Sequence, residues 1–368
     1  MEISVVLPCY NEEEILGECL KKIKRALPKA NIIVVNNNST DNSKKIALKE
    51  GVKVIDESIQ GYGAALKKGF NVAKGDHIIM ADCDNTYNFE ELPMLLKYKD
   101  KYDLVIGNRL NKKQKKGSMP FLHKNVGTPL LTNLINLIFK TKIKDSQSGF
   151  RLIKKESLEK MNLQSNGMEL ASEMIIKAKK NNLLIKEVDI TYGLRVGTSK
   201  LNTFRDGWRH IRLILIYGPA YLFLIPGLFM LTFGFLIMFI LTFFSVSIFG
   251  VNLKTHPLII GSLMSITGYN IIMLWIYTKI YETEYLKEEH EFTKFLYKHF
   301  NLEKILLASI VLLIVGALPL ISIFLNWLSS DFGDINKMNQ AIISLTIILI
   351  GIQTIFSGFF MSILGMKH

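Results

Sequence analysis

The chain has 368 residues, enough for two or three domains, and its 45 Lys and Arg against 32 Asp and Glu give a net charge of +13. A mean hydropathy of +0.24 is high for so charged a chain; it averages a mixed, charged part up to about residue 210 with long uncharged stretches from about 219 onward. Three cysteines, Cys9, Cys19 and Cys83, with no CxxC spacing argue against a disulfide framework or a zinc site and fit a reducing compartment.

The N-terminus, MEISVVLPCYN, has no basic region leading into an apolar core, so it reads as a first strand rather than a signal peptide. Short β-branched apolar runs follow at 31–36, 52–56, 77–82 and 103–107, after the first at 3–8. Helical patterns fill the gaps at 12–27, 39–50, 61–74 and 89–99. Strands alternating with helices at this spacing predict an α/β domain with a mostly parallel sheet. Such sheets bind ligands beyond the carboxyl ends of their strands. Those ends are polar here: Pro8, Tyr10, Asn11 and Glu12 after the first strand, Asn36 and Asn37 after the second, Gly61 and Gly63 before the third helix, and Asp82 and Asp84 after the fourth. The set predicts a site for something polar, nucleotide-sized and metal-bound. "GYGAALKKG" is not GxGxxG and does not sit in the first strand–helix turn, and GxxxxGK[ST] is absent, which argues against dinucleotide and P-loop sites.

Beyond this domain, "TFRDGWRHIRLILIYGP" mixes Arg205, Arg209 and Arg212 with Phe204, Trp208 and Ile211, the pattern of a helix lying in the headgroup plane. "GTPLLTNLINLIFK", 127–140, is apolar but too short to span; it reads as membrane contact, with an ordinary core helix as the alternative. Four uncharged segments, about 219–243, 257–278, 305–328 and 340–364, each exceed the roughly 20 residues a bilayer core demands. The loop 279–304 carries Lys279, Lys287, Lys294, Lys298 and Lys304, whereas the other two loops carry Lys254 and Lys337 alone. Lys/Arg asymmetry then places that loop, the N-terminal domain and the C-terminus in the cytoplasm. The basic excess fits an anionic membrane surface, and no zinc finger, aromatic RNA-binding motif or basic zipper points to nucleic acid.

Seven motifs in order carry a family resemblance: "PCYNE" (8–12), "NNNSTD" (36–41), "GYGAALKKGF" (61–70), "DCD" (82–84), "GNR" (107–109), "DSQSGFR" (145–151) and "RVGTSK" (195–200). With them the chain resembles family 2 glycosyltransferases of the GT-A fold, in the polyprenyl-phosphate branch to which dolichol-phosphate mannose synthase belongs. The resemblance covers residues 1–215 and implies a GT-A nucleotide-sugar-binding catalytic domain over 1–202; the residue pattern adds an interfacial amphipathic helix over 203–218 and four transmembrane helices within 219–368. It implies inverting transfer of a hexose, glucose or mannose, from a UDP- or GDP-sugar to a polyprenyl or dolichyl phosphate at the cytoplasmic face. Asp82 and Asp84 would hold Mg²⁺ or Mn²⁺. Pro8, Tyr10, Asn11, Glu12, Asn36, Asn37, Gly61, Gly63 and Asp82 would bind the nucleotide-sugar. Arg109, Ser148, Arg151, Arg195, Ser199 and Lys200 would receive the acceptor phosphate, with Arg109 and Arg151 also counted as catalytic. Thr86 stands where some relatives carry a metal-reaching Gln, and Asn36 and Asn37 stand where many carry two Asp.

Two other readings remain. A lipid hydroxyl acceptor would need a carboxylate base, for which Glu169 and Glu173 in "GMELASEM" are the candidates. A glycolipid flippase with a recognition domain would use the four spans for transport, but they carry no charge of the kind transport paths often hold. No QxxRW stretch is present, which argues against a processive polymerase. Oligomerisation through the spans is left open by the sequence.

Overall fold

The computed structural model describes residues 2–197, 202–244, 246–248, 251–253, 255–288, 290–333 and 337–365. The chain folds as two compact units, 1–218 and 219–368.

In the first unit the strands are β1 (Ile3–Cys9), β2 (Asn31–Asn36), β3 (Lys53–Asp56), β4 (His77–Met80), β5 (Leu104–Asn108), β6 (Arg151–Lys154) and β7 (Ile185–Asp189). They form one sheet in the order β3-β2-β1-β4-β6-β5-β7. The five expected strands are all present. β6 and β7 were not anticipated, and β6 runs antiparallel to both of its neighbours. β1 and β4 sit mid-sheet and bury both faces, which is why they read as unbroken apolar runs rather than alternating ones.

Two buried layers cover the sheet. One packs around Val6, Met80, Ile106 and Leu66, the other around Leu7, Leu16, Leu20 and Phe150. Helix α1 (Leu16–Ala26) shows how the sequence chooses its face: Leu16, Cys19, Leu20 and Ile23 recur at helical spacing and all are buried. Helices α2 (Ser43–Lys49), α3 (Tyr62–Val72), α4 (Leu92–Leu96), α5 (Thr128–Phe139), α6 (Lys155–Met161), α7 (Leu170–Lys180) and α8 (Thr203–Tyr217) complete the unit. In α5 one face is core, through Thr128, Leu131, Thr132 and Ile135, while Leu130 and Leu137 stand exposed. The amphipathic α8 buries Asp206, His210 and Ile214 and exposes Phe204, Trp208 and Ile216.

The second unit holds α9 (Ile225–Phe243), a short hairpin of β8 (Val246–Ile248) and β9 (Val251–Leu253), then α10 (Thr255–Glu284), α11 (Glu291–His299), α12 (Leu302–Ser329) and α13 (Met338–Leu364). Among the described residues four helical stretches are long and apolar enough to cross a bilayer: Ala220–Phe243, Thr255–Glu284, Leu302–Ser329 and Met338–Leu364. Glycines let the backbones meet: a Cβ at Gly234 would lie 2.5 Å from the Gly261 carbonyl oxygen, and one at Gly268 2.4 Å from the Leu231 nitrogen. Hydroxyls pair α10 with α13, Ser262 with Thr346 at 2.6 Å and Tyr269 with Thr354 at 2.7 Å.

Candidate active site

The rim of the first unit's sheet is built from the segments that leave β1, β2 and β4. The β1 and β2 ends are laced together: the Asn11 N–H donates to Ser39 Oγ at 3.1 Å, the Thr40 N–H to Asn11 Oδ1 at 2.8 Å and the Glu12 N–H to Ser43 Oγ at 2.8 Å. Asn11 itself adopts φ 53°, a region Asn tolerates better than most side chains. Tyr10 is exposed at the end of β1, and the Pro8 carbonyl accepts from Cys83 Sγ at 3.3 Å. Cys83 therefore turns inward between the two acids that flank it.

Asp82 and Asp84 follow β4. Burial pushes the Asp82 carboxyl up to about 6, with the nearby charge of Asp84 adding to the rise. Opposing this, the Tyr62 hydroxyl donates to Asp82 Oδ1 at 2.9 Å, and the positive charges of Arg109 and Arg195 favour the ionised form. Burial and the Asp82 charge push the Tyr62 phenol well up, so it stays a donor. Gly149 passes so close that a Cβ there would lie 2.7 Å from Tyr62 OH and 2.8 Å from Asp82 Oδ2. Thr86 donates both its N–H (3.1 Å) and its hydroxyl (2.5 Å) to Asp84 Oδ1, which fixes that carboxylate from below. The other Asp84 oxygen faces Arg195 Nη1 at 3.3 Å, and Arg195 Nη2 lies 3.6 Å from Glu12 Oε1. Arg195 thus stands against the acids rather than in a separate basic pocket.

The donor set fits a hard divalent cation: two carboxylates at one rim, too few for a closed protein cage and suited to an ion that also takes substrate phosphates. Elsewhere among the described residues, Glu282, Glu288 and His290 also converge, but Glu282 already pairs with Lys279 Nζ at 2.6 Å.

Arg109 follows the last residue of β5 and is nearly buried. Its Nε and Nη2 donate to the two oxygens of Asp145 at 2.7 and 2.9 Å, and its backbone N–H adds a third bond at 3.1 Å. The ring of Tyr192 lies under the guanidinium, 5.2 Å from Cζ. Burial opposes charge on both partners, yet each charge holds the other: the Asp145 carboxyl stays below the usual range and the guanidinium is held more firmly protonated.

Several expected ligands are turned inward, and their expected roles need correction. Arg151 is 0% exposed and donates through Nε, Nη1 and Nη2 to the carbonyls of Ser148, Ala171 and Ser146, each at 2.8 Å. β6 pairs it with Met80 and Ile106, which direct it into the same core layer. Ser148 is equally buried and accepts from the Phe150 N–H at 3.3 Å. Asn37 uses its Nδ2 on the carbonyls of Glu57 and Ile59 and accepts from the Gly61 N–H, so both amide hydrogens hold the 57–61 turn and none is left for a base. Asn36 donates to Asp56 at 2.8 Å and accepts from the Ser39 N–H. Gly61 and Gly63 make their close approach to the backbone of 165–167: a Cβ at Gly63 would lie 2.5 Å from the Ser165 carbonyl oxygen. Ser199 and Lys200 lie outside the described residues.

Glu173 is buried in bonds of its own. Burial would raise its carboxyl, but the N–H groups of Ser165 and Gln164, both at 2.8 Å, hold it low. Glu169 Oε1 accepts from the Gly167 N–H at 3.3 Å. The sequence reading overlooked Tyr62, Gly149, Tyr192 and Asp145. Tyr62, Gly149 and Asp145 sit inside motifs already singled out, so their position was available although their contacts were not.

A mostly parallel, mixed sheet with an acid pair and two arginines at its carboxyl rim has the architecture of a GT-A nucleotide-sugar enzyme. The chain belongs to glycosyltransferase family 2: residues 4–161 match the family model "Glycosyl transferase family 2", and 276–365 match "Glycosyltransferase family 2 C-terminal transmembrane region". It is 34% identical to the low-salt glycan biosynthesis hexosyltransferase Agl6 of Haloferax volcanii, over 99% of this chain and 89% of that one. It is 31% identical to the dolichyl-phosphate hexose transferase of the same organism, over 56% of this chain and 89% of that one. A crystal structure of a mycobacterial protein aligns with a TM-score of 0.51 at 19% identity, covering 59% of this chain and 74% of that one, a likeness of fold. With its four apolar helices and the matched transmembrane region, the chain is a membrane protein.

Proposed function

We propose that the chain transfers a hexose, glucose or mannose, from a UDP- or GDP-sugar to a polyprenyl or dolichyl phosphate at the cytoplasmic membrane face, with inversion. The observation that carries this reading is that Arg195 Nη1 stands 3.3 Å from Asp84 Oδ2 while Arg109, held by Asp145, leaves the end of β5 at the same edge of the sheet. A cation site and two guanidinium groups therefore share one rim, as a leaving diphosphate and an incoming phosphate require. Asp82 and Asp84 would hold Mg²⁺ or Mn²⁺, which would supply Lewis-acid neutralisation of the departing diphosphate.

The remaining work falls to side chains. Tyr62 and Thr86 orient the two carboxylates through their hydroxyl hydrogen bonds. Gly149 leaves the space in which Asp82 sits. Arg109 offers guanidinium N–H groups to the acceptor phosphate. A phosphate monoester has a second pKa of about 6, so the nucleophile is already an anion near neutral pH and needs no general base. Its oxygen forms a bond to the anomeric carbon as the bond from that carbon to the nucleoside diphosphate breaks; the electron pair leaves with the diphosphate. Glu173 is tied to two backbone N–H groups and does not suit the base that a hydroxyl acceptor would need.

The apolar residues Phe204, Trp208 and Ile216 on α8, beside Arg205 and Arg209, support a helix lying at the lipid headgroups. The five lysines of 279–304 support a cytoplasmic catalytic unit and C-terminus.

The test uses the full chain in detergent with Mn²⁺ or Mg²⁺, a panel of radiolabelled UDP- and GDP-hexoses, and either a short polyprenyl phosphate or the matching polyprenol. Label entering the organic phase only with the phosphate, and lost on chelation, is the expected result. Transfer to the polyprenol instead would overturn the reading.

A further inference from the structure

We infer that Asp145 is a positioning residue for the acceptor: it fixes the Arg109 guanidinium by one edge so that the opposite edge is presented, already oriented, to an incoming phosphate. The inference deepens the proposed function and rests on Arg109 meeting the acceptor phosphate.

Three observations converge on it. First, the contact is an edge-on fork: Nε and Nη2 take the two Asp145 oxygens, while no hydrogen bond from Nη1 is found among the described residues. Second, the remaining freedom of the guanidinium plane is removed by the Tyr192 ring beneath it and by the backbone N–H of Arg109 on the same carboxylate. Third, Asp145 is itself held. It accepts from the Gln147 N–H at 3.1 Å, and Glu187 accepts from the N–H groups of both Lys144 and Asp145. Order is thus passed from Glu187 through the 144–147 turn to Asp145 and on to Arg109.

Stability alone is a poor reason for such a pair. Asp145 is 0% exposed, and the desolvation cost of a buried ion pair commonly offsets its Coulomb gain. Orientation is a better one. A free arginine side chain loses rotamer entropy when it is fixed, and a side chain already fixed does not lose it again on binding. The unspent Nη1 edge then meets phosphate oxygens in the geometry that a fork of N–H groups favours.

The experiment measures KM for a short polyprenyl phosphate and for the nucleotide-sugar, on the full chain in detergent, for Asp145→Asn, Arg109→Gln and the double variant. We expect Asp145→Asn to raise the lipid-phosphate KM tenfold or more while the nucleotide-sugar KM stays within twofold. In the Arg109→Gln background the same change should add nothing, because Asp145 acts through Arg109. Equal changes in both KM values, or an effect that multiplies in the double variant, would overturn the inference. If Asp145→Asn does not fold, Asp145→Glu serves: it keeps the charge but displaces the carboxylate, and an unchanged lipid-phosphate KM would overturn the inference equally. An Arg109→Gln enzyme with unchanged lipid-phosphate KM would instead refute the acceptor role of Arg109, on which the inference rests.

Discussion

His210 makes the anchoring of α8 sensitive to acid. Its Nδ1 lies 2.8 Å from Ser172 Oγ on α7, and the residue is 5% exposed. Burial lowers its pKa from 6.5 to about 4; the carboxylate of Asp206, one turn earlier, pulls upward, and the buried Arg151 pushes further down. The unfolded chain therefore takes up a proton below pH 6.5 that the folded chain refuses. The stability contributed is complete above pH 6.5 and is lost as pH falls towards 4. At about 1.36 kcal/mol per pH unit the full penalty is roughly 3 kcal/mol, of which about 2 is reached by pH 5. For a unit of this size that corresponds to a fall of about 4–8 °C in midpoint. The assay is thermal melting of the full chain in detergent at pH 8 and pH 5, for the natural sequence and for His210→Gln, which can still bond Ser172 but cannot titrate. The natural protein should lose about 4–8 °C more than the variant between the two pH values. Equal losses would refute the assignment, because Asp206 and every other titrating group are common to both.

Arg151→Met should destabilise by about 3 kcal/mol or more, since it strands three buried carbonyls; the folded fraction should keep its KM for polyprenyl phosphate, and a selective rise in that KM would restore the acceptor role. Gly63→Ala should lower the melting midpoint by an amount equivalent to about 1–3 kcal/mol, because its Cβ would meet backbone, not a movable side chain, at 165–167; an unchanged midpoint would show that the 165–167 turn yields freely.

How much of this was readable in advance depended on period and order. Central parallel strands bury both faces, so β1, β2, β4 and β5 advertised themselves as apolar runs, and the spans did so by length alone. β6 and β7 did not. "RLIK" is only four residues long with charged ends, although it lies buried between β4 and β5, and "IKEVD" is three-fifths polar because β7 is an edge strand, paired on one side alone. The helical face of α1 could be read from spacing, whereas the half-core, half-exposed character of α5 could not, since its apolar residues run around both faces. The acid pair follows the end of β4, where strand polarity sets the carboxyl rim of the sheet.

The arginines show where such reading stops. Arg109 and Arg151 both lie in motifs, both are long cations, and both stand at the same end of the sheet. Arg109 comes one residue after β5 ends, where the chain has left the ladder and its side chain can reach the rim. Arg151 is the first residue of an antiparallel strand, so it occupies the rim end of the sheet while still in register with Met80 and Ile106. Register decides the face, and a one-residue slip would turn the guanidinium to the other side. Without the direction of β6 there was no way to assign that register, and the two cations looked equivalent. Their partners then separate them by chemistry: carbonyls engage all three guanidinium nitrogens of Arg151, while the single carboxylate of Asp145 grips one edge of Arg109, through Nε and Nη2. A buried arginine is therefore best assigned by the number of edges its partners occupy, not by its distance from the acids.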